Sequence, residues 1–157
     1  MFETFQEYSL ALELLRRRAR ISIIHRETGI SKEVLRTAYK KLYGCSPSSG
    51  ALKYSTRGLT RTNRSYKETT LFAFCYHKVD KLSQASSIQK IIQAFDIYTQ
   101  TESSRQLNFS AAWVIAKDIA SKSVELSLCK NCGSPVLLNA RESNIDKCGI
   151  CKAKVTA

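Results

Sequence analysis

Residues 27–43 read ETGISKEVLRTAYKKLY. Gly29 has no Cβ and suits a left-handed turn position, and Ser31 carries the short hydroxyl that caps a helix N-terminus. A helix is therefore expected to end before Gly29 and a second to run over residues 32–43. In that second helix Leu35, Ala38 and Leu42 fall on one side, expected to be buried, while Glu33, Arg36, Thr37 and Lys40 fall on the other. Upstream, Leu12, Leu15, Ala19 and Ile23 recur at spacings of three and four, so one helix is expected from Glu7 to Thr28. Helix, glycine turn and helix is the layout of a helix-turn-helix, whose second helix fits the major groove of DNA. Lys32, Arg36, Thr37 and Lys40 are its candidate contacts, because long cationic side chains reach guanine edges and phosphates. His25 departs from the pattern, standing where such motifs usually place a small residue.

The charge of the chain supports a polyanionic partner. Its net charge is +12, unevenly spread: residues 1–67 hold 14 Lys/Arg against 5 Asp/Glu, residues 68–128 hold 6 of each, and residues 129–157 hold 5 against 2. Basic ends around a neutral middle imply two surfaces that meet nucleic acid. Residues 44–67, GCSPSSGALKYSTRGLTRTNRSYK, are rich in Gly, Ser and Thr and read as a basic connecting segment with little core content. Within it Lys53, Arg57, Arg61 and Arg64 recur every three or four residues, interleaved with Tyr54 and Tyr66, and suit contacts to backbone phosphates. The competing reading of each is an ordinary solvated loop residue.

From Lys67 three helix-period segments follow, with Phe72, Phe74, Tyr76, Ile91, Ile92, Phe95, Trp113, Val114 and Ile115 as core or subunit-interface residues. Cys75 and His77 read as core side chains, and Cys45 as a small buried or loop thiol. No segment approaches the roughly 20 apolar residues that cross a bilayer. At the N-terminus acidic residues precede the apolar ones and basic residues follow, the reverse of a secretory signal, so a cytoplasmic, non-membrane protein is expected. Two histidines, no clustered carboxylates and no Gly-rich phosphate loop argue against an enzyme.

The C-terminal region spells Cys129-x2-Cys132-x15-Cys148-x2-Cys151. Each pair can turn both sulfurs toward one cation, and the spacer is long enough to form a hairpin that joins the pairs. Gly133 and Gly149 directly follow cysteines and ease the backbone there, and Val136, Leu137 and Leu138 can form a short strand. The spacing predicts one tetrahedral Zn2+ ion held by Cys129, Cys132, Cys148 and Cys151, with no open position and hence a structural role. An iron–sulfur cluster and a redox pair fit the spacing and context less well. Lys130, Lys147, Lys152 and Lys154 surround the cysteines and form a second basic surface. The expected fold is mainly α-helical, with a helix-turn-helix-like N-terminal segment and a small four-cysteine zinc-ribbon-like module. Its parts are 1–43 helical, 44–67 the basic connection, 68–124 a helical core or assembly region, and 125–157 the zinc module.

Taken in order, KKLYGCSPSSGAL, then SAAWVIAKDIASKSVELSLCKNCGS and the second cysteine pair give a chain that resembles the FlhC family. FlhC is the larger subunit of the bacterial flagellar transcriptional activator. The resemblance spans nearly the whole chain and rests on Leu42, Gly44, Pro47, Gly50, Leu52, Ala112, Trp113 and the four cysteines. It implies a hetero-oligomer with an FlhD-like partner, typically four FlhD with two FlhC chains, that binds and bends promoter DNA and recruits RNA polymerase. It also places zinc on the four cysteines. The chain ends six residues after Cys151, where flagellar members usually continue, and its segment after LKYST is more basic than theirs. These departures tilt the expectation toward the FlhC-like activators of conjugative transfer genes, with a flagellar regulator as the alternative. A zinc-ribbon adaptor binding acidic proteins, without specific DNA binding, is the other reading.

Overall fold

In the computed structural model, which describes residues 2–52, 55–101, 107–139, 148 and 151, the chain divides into two compact units. One comprises Met1–Leu52 with Asn108–Ser110, and the other Lys53–Leu107 with Ala111–Ala157.

The helix expected over residues 7–28 is two: α1, Phe2–Arg16, and α2, Ile21–Thr28. The break is a Schellman turn without a glycine. Arg18 takes φ 54°, its N–H bonds Leu15 O at 2.9 Å, and the Ala19 N–H bonds Leu14 O at 3.0 Å. This break resets the helical phase, so α1 buries Ala11, Leu14 and Leu15, whereas Leu12, expected inside, is 40% exposed. The turn into the next helix is as expected. Gly29 caps α2 at φ 73°, and Ser31 accepts the Val34 N–H to start α3, Lys32–Tyr43. His25 is exposed, and its ring Nδ1 donates to Ile30 O at 2.8 Å, tying the turn to α2.

The inner side of α3 differs by one position from expectation. Leu35 and Tyr39 are buried, Ala38 is half-buried, and Leu42 is 48% exposed. Tyr39 takes the place assigned to Leu42 because the aromatic pair Tyr39–Tyr43, 4.8 Å between ring centroids, closes the helix against the α1 terminus. There the Tyr43 hydroxyl lies 2.9 Å from Leu15 O, which also accepts the Arg18 N–H, and 3.1 Å from Arg16 O at the end of α1. Arg18 stacks its guanidinium over the same ring at 4.6 Å.

In the second unit a single 3-10 turn, Thr56–Leu59, precedes α4, Asn63–Leu82. Thr56 and Leu59 are buried, so the connecting segment has more core content than its composition implies. α4 starts ahead of the expected Lys67 because Thr62 and Ser65 form a reciprocal capping box. Ser86 and Gln89 do the same for α5, Ser87–Gln100. The two helices pack together through Phe72, Tyr76, Ile88, Ile91, Ile92 and Tyr98, with Phe72 edge-on to Tyr98. Phe74, expected in the core or at a subunit interface, is 37% exposed, and Ala73 and Cys75 are buried beside it. Glu68 is buried, and its carboxylate accepts a short hydrogen bond from the Tyr98 hydroxyl. Helix α6, Phe109–Ala120, is buried through Ala112, Trp113, Val114, Ile115 and Ala116. No helix among the described residues is long and apolar enough to cross a membrane.

Candidate metal centre and basic surfaces

The cysteine module grows directly from the end of α6. Lys122, at φ 58°, closes that helix with a second glycine-free Schellman turn, in which the Ser123 N–H bonds Asp118 O at 2.9 Å. Strand β1, Val124–Leu128, then pairs antiparallel with β2, Pro135–Asn139, in the register Leu126↔Leu137 and Leu128↔Pro135. The strand over 136–138 was expected; β1, upstream of the first cysteine, was not. The first cysteine pair is thus the tip of a hairpin. The Cys129 N–H bonds Ser134 O at 2.9 Å, the Gly133 N–H bonds Cys129 O at 2.8 Å, and Gly133 takes φ 69°. That left-handed position is the one expected of it; Gly149 lies outside the described residues.

Against this tip sits the second pair. The four sulfurs lie within 4.8 Å of one another, and Cys129, Cys148 and Cys151 are buried with Val136, while Leu138 packs against them. Three of the separations are 3.8 Å (Cys129–Cys151), 3.4 Å (Cys132–Cys148) and 3.6 Å (Cys148–Cys151). A disulfide needs about 2 Å, and all four thiols are free. Ligands at about 2.3 Å from a tetrahedral zinc stand about 3.8 Å apart, so the sulfur cage has the size of such a site. Local donors favour the thiolate form that a metal requires. The Cys132 backbone N–H leads in holding the Cys129 thiol down to about 6. The Ser134 hydroxyl leads in lowering Cys132. The arrangement can hold a metal ion with four sulfur ligands.

The basic residues fall into separate places. Lys32, Arg36, Thr37 and Lys40 are exposed on α3, and Thr37 spends its hydroxyl proton on Glu33 O at 3.0 Å. Arg36, Thr37 and Lys40 form one wall of a 390 Å3 cleft whose other side is Ser46 and Pro47. Arg57, Arg61 and Arg64 are also exposed, on the 3-10 turn, the bend after it and the first turn of α4. Sequence reasoning did not find Asp118, which anchors the residue before Arg57. Its Oδ2 accepts both the N–H and the hydroxyl of buried Thr56, at 2.7 Å each. Nothing in the sequence links two residues 62 positions apart. Lys130 is exposed beside the hairpin tip, whereas Lys53, Lys147, Lys152 and Lys154 lie outside the described residues. Cys75 is buried and its thiol pushed up by that burial, and Cys45 is exposed.

Known proteins share this pattern along its whole length. The family described as "Flagellar transcriptional activator (FlhC)" matches residues 1–157. The flagellar transcriptional regulator FlhC of Paraburkholderia atlantica is 26% identical over 152 residues, covering 94% of this chain and 70% of that protein. The protein of the same name from Verminephrobacter eiseniae is 29% identical over 145 residues, 90% of this chain and 78% of the relative. That from Serratia marcescens is 27% identical over 153 residues, 94% and 78% of the two chains.

Proposed function

The chain belongs to the FlhC family of transcriptional activators, and from that premise we propose that it is the DNA-binding subunit of a heteromeric activator. It acts with an FlhD-like partner, four such chains to two of this one, at promoter DNA and brings RNA polymerase to it. The observation that carries the reading is the set of exposed cations Arg57, Arg61 and Arg64, the first of them beside the anchored Thr56, together with a second exposed set, Lys32, Arg36 and Lys40, on a capped helix. Phosphate contacts from the first set supply affinity without sequence information. Arg36 is the side chain on α3 with the fork geometry that reads a guanine edge. Cys129, Cys132, Cys148 and Cys151 hold one structural zinc ion, which fixes the hairpin tip and carries no reaction.

The complex with its partner is to be titrated with promoter DNA across a salt series. Arg57→Gln or Arg61→Gln is expected to weaken binding equally on all sequences and to lower the log–log salt slope by roughly 1 for each phosphate no longer neutralised. Arg36→Ala is expected to change which sequences are preferred. A flat salt response of the wild-type complex sinks the reading, and tight partner binding with no DNA shift returns the adaptor in its place. Footprints on flagellar and on conjugative-transfer promoters then assign the regulated genes, with protection of transfer-gene promoters as the expected result.

A further inference from the structure

The cleft along α3 continues past Arg36 into a second hollow of 300 Å3, toward the start of α2 and the segment 47–50. Its polar lining is Arg20, Ser22, Lys32, Arg36, Ser48 and Ser49. Three of these are cations, and among the described residues none of the three pairs with a carboxylate. The arrangement is held in place rather than loose. The Arg20 N–H donates to Ser110 Oγ at 3.1 Å, and its guanidinium Nη1 donates to Gly50 O at 2.6 Å, which fastens the 47–50 wall to the floor. A guanidinium has five N–H donors, so most of those of Arg20 stay available to a ligand. The position of the cations is also electrostatically odd. Arg20 precedes α2, whose first turn holds no acidic residue, and Lys32 opens α3, whose first turn also holds Glu33. Helix N-termini disfavour positive charge, and Arg20, before a helix start with no acidic residue, is favoured there when an anion lies beside it.

We infer that this hollow is a phosphate site, in which Arg20, Lys32 and Arg36 bind one phosphate group and the Ser48 and Ser49 hydroxyls complete its hydrogen bonds. The inference rests on the DNA-binding reading above and extends it to Arg20, Ser48 and Ser49. A backbone phosphate seated here fixes how far α3 enters the groove, because Arg36 belongs to both the hollow and the outward face of the helix. The same chemistry accepts the phosphate of a small phosphorylated molecule.

The test uses the full chain, zinc-loaded and in complex with its partner, as wild type, Lys32→Gln and Arg20→Gln. Lys32 is exposed, and among the described residues its side chain makes no hydrogen bond or ion pair, so its variant remains informative if Arg20→Gln loosens the wall. In the first arm, a promoter duplex and an unrelated duplex are titrated across a salt series. Each variant is expected to lose about threefold to tenfold in affinity on both duplexes, with a salt slope lower by roughly 1 per chain. In the second arm, pyrophosphate is titrated into the DNA-free complex by calorimetry. Binding by wild type that Lys32→Gln weakens about tenfold identifies a small phosphorylated ligand as the source, whereas a DNA effect alone identifies the backbone phosphate. If wild type binds DNA with a steep salt slope and neither variant alters binding in either arm, the phosphate site is overturned and the DNA-binding reading stands. If wild type binds no DNA, that reading fails. Pyrophosphate binding sensitive to Lys32 then still supports the site, and its absence overturns it.

Discussion

Replacing Asp118 with alanine separates position from charge. Its Oδ2 accepts two hydrogen bonds from Thr56, at 2.7 Å each, and Thr56 is buried. Alanine leaves a backbone N–H and a hydroxyl without an acceptor, and each such donor costs about 1–3 kcal/mol. Asp118 is itself half-buried, so water reaches part of the gap and the total should be about 2–4 kcal/mol. With a urea m-value of about 2 kcal/mol per molar, the unfolding midpoint should fall by about 1–2 M. Asp118→Asn keeps one acceptor oxygen and should lose about half as much. Thr56→Val should cost less in the Asp118→Ala background than alone, with a coupling of about 1–2 kcal/mol. The DNA-binding consequence has a sign of its own. Removing a negative charge from a basic protein strengthens its attraction to a polyanion. Loss of the anchor beneath Arg57 instead weakens binding. Salt titrations of the partnered complex, at a urea-free temperature well below unfolding, decide between them. Unchanged midpoints, or tighter DNA binding by Asp118→Ala, would refute the anchoring argument.

Tyr98→Phe should destabilise the second unit by about 2–4 kcal/mol in urea melts, because it strips the buried Glu68 carboxylate of its hydroxyl donor. Glu68→Gln in that background should recover part of the loss, since a neutral amide is cheaper to bury unpaired. Gly29→Ala should cost about 1–2 kcal/mol by the same measurement, from its left-handed φ of 73° and not from crowding, as no atom lies within 4 Å of the added Cβ. In the zinc-loaded native protein, a maleimide should label exposed Cys45 and leave buried Cys75 alone. A strong chelator should then expose Cys129, Cys132, Cys148 and Cys151 together. Mass spectrometry counts the adducts, and stepwise rather than joint exposure counts against a single shared ion.

The parts of the structure written in local chemistry were legible. Gly29 and Ser31 marked the turn and the start of α3, and the x2–x15–x2 spacing foretold that four sulfurs would gather. What escaped has no local mark. The α1–α2 break uses Arg18 in a conformation where glycine is the usual signal, and the end of α6 uses Lys122 in the same way. Leu42 and Tyr39 lie on neighbouring parts of one helix face, and a hydroxyl bond to Leu15 and Arg16 carbonyls, made by Tyr43 from far along the chain, settled which of them turned inward. Strand β1 was hidden because VELSL has too few residues to show a period against the helix before it. Arg57, Arg61 and Arg64 were visible as cations, but the anchor beside Arg57 depends on a bond only the folded chain makes.

A strand at the edge of a sheet is a template on which a second chain can grow, and a two-stranded hairpin has no interior strand at all. At Leu137, in the middle of β2, the N–H is received by the Tyr66 hydroxyl at 3.1 Å, and the same hydroxyl lies 3.4 Å from Leu137 O. One phenol on α4 therefore occupies the donor and the acceptor that a stranger's strand would need. At this point of the β2 edge the phenol opposes the addition of a further strand, without calling on the metal.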